Sequence, residues 1–125
     1  MAEAIVDTSS ILFGFRYRKD VFEAIERQLP SFRPSISMGI LRELEGIGSN
    51  RGKKGAMARA ALLALKSKKV DVHNINAAVD AWIIREAAKS RGCIVITNDT
   101  ELAERLFGRR IVCFKLSKSG LLKRY

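Results

Sequence analysis

The sequence predicts an α/β domain whose mainly parallel sheet is covered by helices on both faces. Short runs rich in β-branched residues alternate with segments whose apolar residues follow helical spacing, and this alternation requires crossover connections between parallel strands. The chain has 125 residues, of which 47% are hydrophobic. A chain of this length buries roughly two thirds of its unfolded surface, so we expect one self-supporting domain over residues 1–125.

The first quarter of the chain predicts a strand, a helix and a weaker strand. Residues 4–7 predict a short buried strand, because an apolar run with β-branched residues closes at Asp7, just before the polar sequence beginning with Thr8. Asp20 then opens a helix with a capping-box pattern, and Pro30 ends it. Residues 32–36 read as a second strand held extended around a proline.

The middle of the chain predicts two helices separated by a loop. Ser37 caps the first helix, and glycine and basic residues break it over residues 46–55. We expect that segment to be a mobile loop or one that grips a substrate. A helical face resumes at Met57 and lasts to Lys66, and residues 70–72 alternate like a strand.

The last part of the chain holds the most apolar strand. Residues 77–89 predict a helix, and Gly92 is a good left-handed terminator before the strand at residues 93–97. A short helix follows and stops at Gly108, and residues 111–116 predict the last strand. The basic tail after it shows no clear pattern. Three aromatic residues in apolar periodic segments are predicted to belong to the core: Trp82, Phe107 and Phe114.

Four carboxylates stand where an α/β chain normally places apolar or capping residues. Asp7 and Asp99 follow the first and the most apolar strands, the predicted central pair, and open parallel sheets bind ligands at such ends. Asp80 lies among residues suited to the buried side of its helix, and Glu43 lies at the edge of an apolar stripe. If the fold brings them together, they form an oxygen-rich site for a hard divalent cation.

Each acid also has a purely structural explanation. Asp7 and Asp99 are placed to cap the turn or helix that follows them. Asp80 falls in a first helical turn, where a carboxylate gains up to about 1 kcal/mol from the helix dipole, and Glu43 can pair with a base on the surface. Clustered acids repel one another, so without a cation some hold protons at raised pKa. A bound cation removes this conflict and permits phosphodiester hydrolysis without a protein nucleophile.

The charge of the chain points to a polyanion. Lysine and arginine number 23 against 13 aspartate and glutamate residues, which gives a net charge of +10. The same excess also occurs on the solvated surfaces of heat-adapted proteins. Tyr17 is either a base-stacking residue or part of a plain surface loop. Charge alone does not choose among RNA, DNA and an acidic protein. The candidate contacts to such a partner, RNA included, are Arg16, Arg18, Arg51, Lys53 and Lys54.

Other chemistries find little support in the sequence. His73 has no metal-ligand or triad companion, and no glycine-rich phosphate loop is present. Cys93 and Cys113 lack zinc or redox spacing, so we expect small buried hydrophobes; a disulfide is possible between neighbouring strands but disfavoured in a reducing cytosol. No apolar run approaches the roughly 20 residues that cross a bilayer, and no secretory signal begins the sequence. We therefore expect a soluble cytoplasmic protein with no membrane partner.

The fragments that carry the four acids resemble the PIN-domain ribonucleases over nearly the whole chain. The resemblance implies a three-layer α/β/α sandwich and Mg²⁺- or Mn²⁺-dependent endonuclease action on single-stranded RNA. It implies that all four acids are catalytic, with Asp7 and Asp99 as direct metal ligands and Glu43 and Asp80 as ligands or as groups that orient bound water. The fragments are Ile5-Val6-Asp7-Thr8-Ser9, Leu41-Arg42-Glu43-Leu44, Val79-Asp80-Ala81-Trp82-Ile83-Ile84 and Val95-Ile96-Thr97-Asn98-Asp99-Thr100-Glu101-Leu102.

The same resemblance assigns supporting residues and partners. Thr97 and Asn98 match the Thr-Asn pair whose hydroxyl and amide help to order the site. Ser9 stands where many relatives carry Asn, and Glu101 where some carry an additional Asp, which leaves the second metal open. The chain is most similar to archaeal proteins resembling rRNA-processing nucleases of the small-subunit processome, and VapC-type toxins share its acids. The partner that these relatives imply is either a ribosomal precursor or an antitoxin. The resemblance also implies a homodimer.

Two rival functions stay open on the residues alone. One is a non-catalytic RNA-binding or ribosome-assembly protein with a retained metal site, which predicts binding without turnover. The other is a metal-binding phosphoacceptor domain, which predicts label transfer from a small phosphodonor to a single Asp.

Overall fold

The computed structural model describes residues 2–125, which form six strands and six helices around one sheet. The strands are β1 (Ala2–Val6), β2 (Phe32–Ser37), β3 (Asp71–His73), β4 (Ile94–Ile96), β5 (Cys113–Leu116) and β6 (Leu122–Arg124). The helices are α1 (Thr8–Tyr17), α2 (Val21–Gln28), α3 (Met38–Gly48), α4 (Lys53–Leu65), α5 (Val79–Lys89) and α6 (Thr100–Gly108).

The sheet has the strand order β3-β2-β1-β4-β5-β6, and all neighbours are parallel except the β5–β6 pair. From β1 the chain adds β2 and then β3 toward one edge of the sheet. It then crosses back to place β4 on the other side of β1, and adds β5 and β6 toward the opposite edge. Because parallel crossovers are right-handed, α1 to α4 lie on one face and α5 and α6 on the other. The predicted α/β sandwich with a mainly parallel sheet is confirmed.

The two central strands are β1 and β4, as predicted. Ile5 and Val6 are fully buried and lie opposite Val95 and Ile96. Beyond the last pair, the backbone N–H of Asp7 donates to the carbonyl of Ile96 over 2.9 Å. The ends of the two strands are therefore level. They lie at the switch point, where the strand order reverses and open α/β sheets bind their ligands.

The segment after β1 differs from the prediction, because residues 8–17 form α1 instead of a polar turn. Gly14 lies where a Cβ would collide with the backbone carbonyl of Lys19, so glycine permits the chain to fold back against the helix end. Tyr17 consequently belongs to the last turn of a helix and not to a surface loop. The tail, which had no predicted structure, forms the edge strand β6.

The segment 46–55 is not the long loop that its glycines predicted. Helix α3 continues to Gly48 and α4 starts at Lys53, which leaves four residues between them. A Cβ on Gly55 would overlap the carbonyl of Asn50. Gly55 therefore allows the chain between α3 and α4 to pass close to the start of α4.

Two helices end on an arginine in the left-handed conformation that glycine usually occupies. Arg18 follows α1 with φ 57°, and Arg110 follows α6 with φ 60°. At the end of α6, the N–H of Arg110 donates to Phe107 and the N–H of Ile111 donates to Leu106, the paired bonds of a Schellman motif. A residue with a Cβ costs roughly 1–2 kcal/mol in this conformation, although its positive charge suits the end of the helix dipole.

The cysteine prediction is confirmed, whereas one aromatic prediction is wrong. Cys93 and Cys113 are buried free thiols, and burial raises the pKa of Cys93 to about 12 and that of Cys113 to about 11. Trp82 is buried and Phe114 is half-buried, but Phe107 is 65% exposed. Among residues 2–125, no helix combines the length and apolar character needed to span a bilayer.

Candidate active site

Asp7 is a buried carboxylate at the carboxyl end of β1. It retains 4% of its accessible surface, and its Oδ2 accepts hydrogen bonds from Ser9 Oγ at 2.6 Å and Thr97 Oγ1 at 2.8 Å. Although Asp7 occupies the N-cap position of α1, its side chain makes no capping hydrogen bond. The capping explanation therefore does not account for this acid, and the two hydroxyls hold its carboxylate in one orientation.

The two hydroxyl groups connect Asp7 to the backbone that follows β4. The N–H of Asn98 donates to Ser9 Oγ at 2.9 Å, and the N–H of Asp99 donates to Thr97 Oγ1 at 3.0 Å. Each hydroxyl has one proton, and both protons point to Asp7. The 3.1 Å contact between the two hydroxyl oxygens therefore needs no hydrogen bond of its own. Residues 97–99 and Asp7 form one hydrogen-bonded unit.

The Asn98 side chain bonds neighbours of the acids and not the acids themselves. Its Oδ1 accepts from Ser10 Oγ at 2.7 Å and from the N–H of Leu116 at 3.1 Å, while its Nδ2 donates to the carbonyl of Leu116 at 2.8 Å. The amide thus ties α1 and the end of β5 to the turn after β4. Ser10 is fully buried, and the sequence reasoning did not identify its role.

Asp99 uses only one carboxylate oxygen for a structural purpose. It is the N-cap of α6, and its Oδ1 accepts from the N–H of Leu102 at 3.2 Å. No hydrogen bond to Oδ2 is found within residues 2–125. The capping explanation is therefore correct for this residue, and it leaves a second oxygen available to a ligand.

Asp80 lies in the first turn of α5 and is half-buried. Burial of the carboxyl raises its pKa, and the negative charges of Asp7, Asp99 and Glu101 raise it further, while Arg105 lowers it. Asp80 therefore interacts electrostatically with Asp7 after β1 and with Asp99 after β4. Arg105 follows Glu101 by one helical turn, and the sequence reasoning did not connect it with the site.

Glu43 extends from α3 toward the same crevice. As a whole residue it is exposed, yet burial around its carboxyl raises its pKa, the Thr8 hydroxyl lowers it, and the charges of Asp7 and Asp80 raise it. The Thr8 oxygen is buried and makes no hydrogen bond of ordinary geometry to any of residues 2–125. Thr8 therefore lies close to Glu43 without a formed hydrogen bond.

The four acids are linked by pairwise electrostatic interactions, but they do not form a closed chelate. Asp80 is coupled to Asp7 and Asp99, and Glu43 to Asp7 and Asp80. Within the part of the chain that the structure describes, no three Asp, Glu, His or Cys side chains have the arrangement of a metal site. The chemistry of the donors nevertheless fits a hard divalent cation, since they are carboxylates beside the buried Thr8 hydroxyl, which has no hydrogen-bond partner among residues 2–125.

The candidate RNA-binding residues lie outside this crevice. Arg16 and Arg18 are exposed at the end of α1, where the Arg16 guanidinium and the Lys118 ammonium each lie 5.2 Å from the centre of the Tyr17 ring. Phe13 packs against the same ring at 4.6 Å, so Tyr17 is already engaged by three neighbours. Arg51, Lys53 and Lys54 are exposed at the start of α4. Between residues 2 and 125, no ion pair joins these bases to the four acids.

The apolar groove between α1, α2 and α4 is separate from the acids. It has a volume of about 320 Å³, and its walls include Ile11, Phe15, Ala61 and Leu65 but none of the four carboxylates. The polar crevice at the ends of β1 and β4 is therefore the better candidate for chemistry on a phosphate.

Comparisons with known proteins agree on one family. Residues 4–118 match the family model described as PIN like domain. The chain is 36% identical over 109 residues to Ribonuclease VapC9 of Archaeoglobus fulgidus, across 86% of this chain and 78% of that protein. It is 33% identical over 115 residues to Ribonuclease VapC4 of Methanocaldococcus jannaschii, across 89% and 87%.

A solved structure shares the fold. The PIN domain endonuclease Utp24 matches with a TM-score of 0.77, across 98% of this chain and 90% of that chain, at 23% sequence identity. At this identity the likeness shows the architecture alone.

Proposed function

This chain belongs to the PIN-like domain family, and we propose that it is a metal-dependent endoribonuclease that hydrolyses phosphodiester bonds of single-stranded RNA. The observation that carries the proposal is that Asp80 interacts electrostatically with Asp7 and Asp99, and Glu43 with Asp7 and Asp80, at the switch point of a chain with net charge +10. The names of the two archaeal relatives support nuclease chemistry of the hydrolase class.

We assign a divalent ion, Mg²⁺ or Mn²⁺, to the crevice between β1 and β4. Asp7 and Asp99 are the proposed direct ligands, and Glu43 and Asp80 complete the shell directly or by orienting water. A bound ion of this kind supplies charge stabilisation on the phosphate and on the leaving oxygen. The chain itself contributes a fixed Asp7 carboxylate, because Ser9 and Thr97 hold one of its oxygens.

The proposed substrate is held by charge. Arg16, Arg18, Arg51, Lys53 and Lys54 are exposed and suited to phosphate contacts that release counterions. Glu101 is a further acid near Asp80, so it is the proposed contributor to any second ion.

The proposed biological role is that of a toxin in a toxin–antitoxin pair. Two relatives that match most of the chain carry the VapC name, which supports this role over ribosomal RNA processing. The role implies an antitoxin as protein partner and action in the cytoplasm, and the family resemblance adds a homodimer.

A cleavage assay on single-stranded RNA tests the proposal. Wild type should cleave with Mn²⁺ and lose activity in EDTA, and Asp7→Asn and Asp99→Asn should lose cleavage while keeping a folded melting transition. Glu45→Gln is a matched control for Glu43→Gln, because both glutamates lie on α3 and neither substitution changes side-chain length. Full cleavage by both Asp variants would eliminate the assigned site.

The same assay separates the rival functions. Tight RNA binding by wild type, without turnover and without metal dependence, would favour an RNA-binding protein. Transfer of label from a small phosphodonor to one aspartate would favour a phosphoacceptor domain.

A further inference from the structure

A second recess lies at the far end of α6 from the acids. It has a volume of about 510 Å³ and is lined by Phe107, Arg110, Arg124 and Tyr125 together with the chain leading into β5. Asp99 caps the start of α6, and the helix has nine residues, so about 13 Å of helix separates its two ends. The recess and the acid crevice therefore sit at opposite ends of one rigid element.

The recess presents two exposed aromatic rings. Phe107 is 65% exposed and Tyr125 is 40% exposed, and their ring centres are 5.9 Å apart in an edge-to-face arrangement. An edge-to-face pair leaves ring surface uncovered, to which a third planar group can stack. Desolvation and the charges of Glu104 and Cys113 raise the pKa of Tyr125.

The recess also presents positive charge. Arg110 and Arg124 line it, and within residues 2–125 no ion pair with a carboxylate engages either of them. Arg109 and Lys123 are exposed beside them. Arg110 has a left-handed backbone conformation, which a glycine would adopt without strain. Unpaired guanidinium groups beside open ring faces match a phosphate and a base of the same nucleotide.

We propose that this recess is a second subsite for single-stranded RNA, in which an unpaired base stacks on Phe107 and Tyr125 while Arg110 and Arg124 hold its phosphates. The proposal rests on the proposed ribonuclease function, because it takes RNA as the substrate. An acidic peptide would satisfy the arginines but would not require two exposed ring faces. Single-stranded RNA uses both features, and every base has a face that stacks.

The subsite gives a dependence on strand length. A short oligonucleotide fills the acid crevice alone, whereas a longer one reaches along α6 to the recess. Substitutions in the recess should therefore weaken binding of the longer strand and leave binding of the shorter strand unchanged.

Binding assays with the full chain test this proposal. In the Asp7→Asn background, which removes cleavage, Phe107→Ala should weaken binding of a long single-stranded RNA by about 5- to 150-fold, the ~1–3 kcal/mol of one stacked base. Leu63→Ala is the matched control, because Leu63 is 69% exposed on α4 and lies outside the recess. Arg124→Gln should lower the slope of log affinity on log salt by about 0.7, with Lys66→Gln as the charge-matched control.

A further variant separates binding from folding. Arg110→Gly suits the left-handed backbone, so it should raise the melting temperature and still weaken binding of the long strand. Unchanged binding of the long RNA by Phe107→Ala, Arg124→Gln and Arg110→Gly overturns the subsite while the nuclease proposal stands. Equal weakening by Leu63→Ala also overturns it. Absence of cleavage by wild type, and of RNA binding by Asp7→Asn, overturns the proposed function instead.

Discussion

The acids that follow strands and the acids that lie on helices are held in different ways. Asp7 and Asp99 follow β1 and β4, and hydrogen bonds to named donors fix one oxygen of each. Asp80 and Glu43 lie on α5 and α3, and burial together with neighbouring negative charge raises their pKa. The fold thus preorganises half of the candidate site and leaves the other half dependent on a proton or a cation.

The difference follows from the elements that carry the acids. The ends of β1 and β4 are locked by parallel pairing and full burial of Val6 and Ile96. Helices α3 and α5 belong to opposite layers, so small shifts of either helix change the distance between Glu43 and Asp80.

The largest expected effect tests the rigidity of the strand-borne half. Ile96→Ala should lower the free energy of unfolding by about 2 to 5 kcal/mol, because Ile96 is fully buried in a central strand. Urea denaturation measures this loss, and Phe107→Ala, an exposed apolar truncation, should stay within about 0.5 kcal/mol. A negligible loss for Ile96→Ala would contradict the central position of β4.

The next effect concerns the cation that the helix-borne half is expected to need. Mn²⁺ at a hundred times its dissociation constant should stabilise the wild type by about 2.7 kcal/mol, since it binds the folded chain alone. Asp7→Asn should lose most of this gain, and Glu45→Gln should keep it. Equal stabilisation of all three proteins would place the ion elsewhere.

A smaller effect is expected from the hydroxyl that links the two strand ends. Thr97→Val removes a donor to Asp7 and the acceptor of the Asp99 N–H at a buried position, which should cost about 1 to 3 kcal/mol. Thr100→Val is the control, because Thr100 is exposed on the next helix. Equal melting of the two variants would show that Asp7 does not depend on this hydroxyl.

The smallest effect tests the repulsion among the acids. The pKa of Asp80 in the folded chain lies above its ordinary value of 3.8, so the folded state binds more protons between the two values. Stability is therefore lost as the pH rises through that interval, and the penalty is complete above the raised pKa. In EDTA at neutral pH, Asp80→Asn should melt at the same temperature as wild type or slightly higher.

Acid pH provides the control for that experiment. Below pH 3.8 the carboxyl is protonated in both states, so the advantage of Asp80→Asn should disappear. A large loss of melting temperature for Asp80→Asn at neutral pH would show that the carboxylate stabilises the fold without a cation.

The sequence predicted the positions of the strand-borne acids better than the segments around them. A β-branched run that stops at an acid identifies both a buried strand and its carboxyl end, which placed Asp7 and Asp99 beside each other. Residues 8–17 escaped prediction because serine, threonine and glycine favour turns locally. Their helix depends on tertiary contacts, such as Ser10 with Asn98, which no local pattern contains.

Glycine misled the prediction at the junction of α3 and α4. Local propensity treats glycine as a helix breaker. At position 55, however, a glycine is needed because the Asn50 carbonyl passes too close for a side chain. The prediction for Phe107 was wrong for a related reason, since helical periodicity does not show that α6 ends at an open recess. Both errors arise where packing between distant segments decides the outcome.

The two margins of the sheet have a consequence for how the protein behaves in a crowded solution. Each outermost strand, β3 and β6, is three residues long, and together they carry Asp71, Lys123 and Arg124. Short, charged borders give another polypeptide little backbone on which to add a strand. The fold therefore resists edge-to-edge aggregation, even though its centre is an almost continuous block of aliphatic side chains.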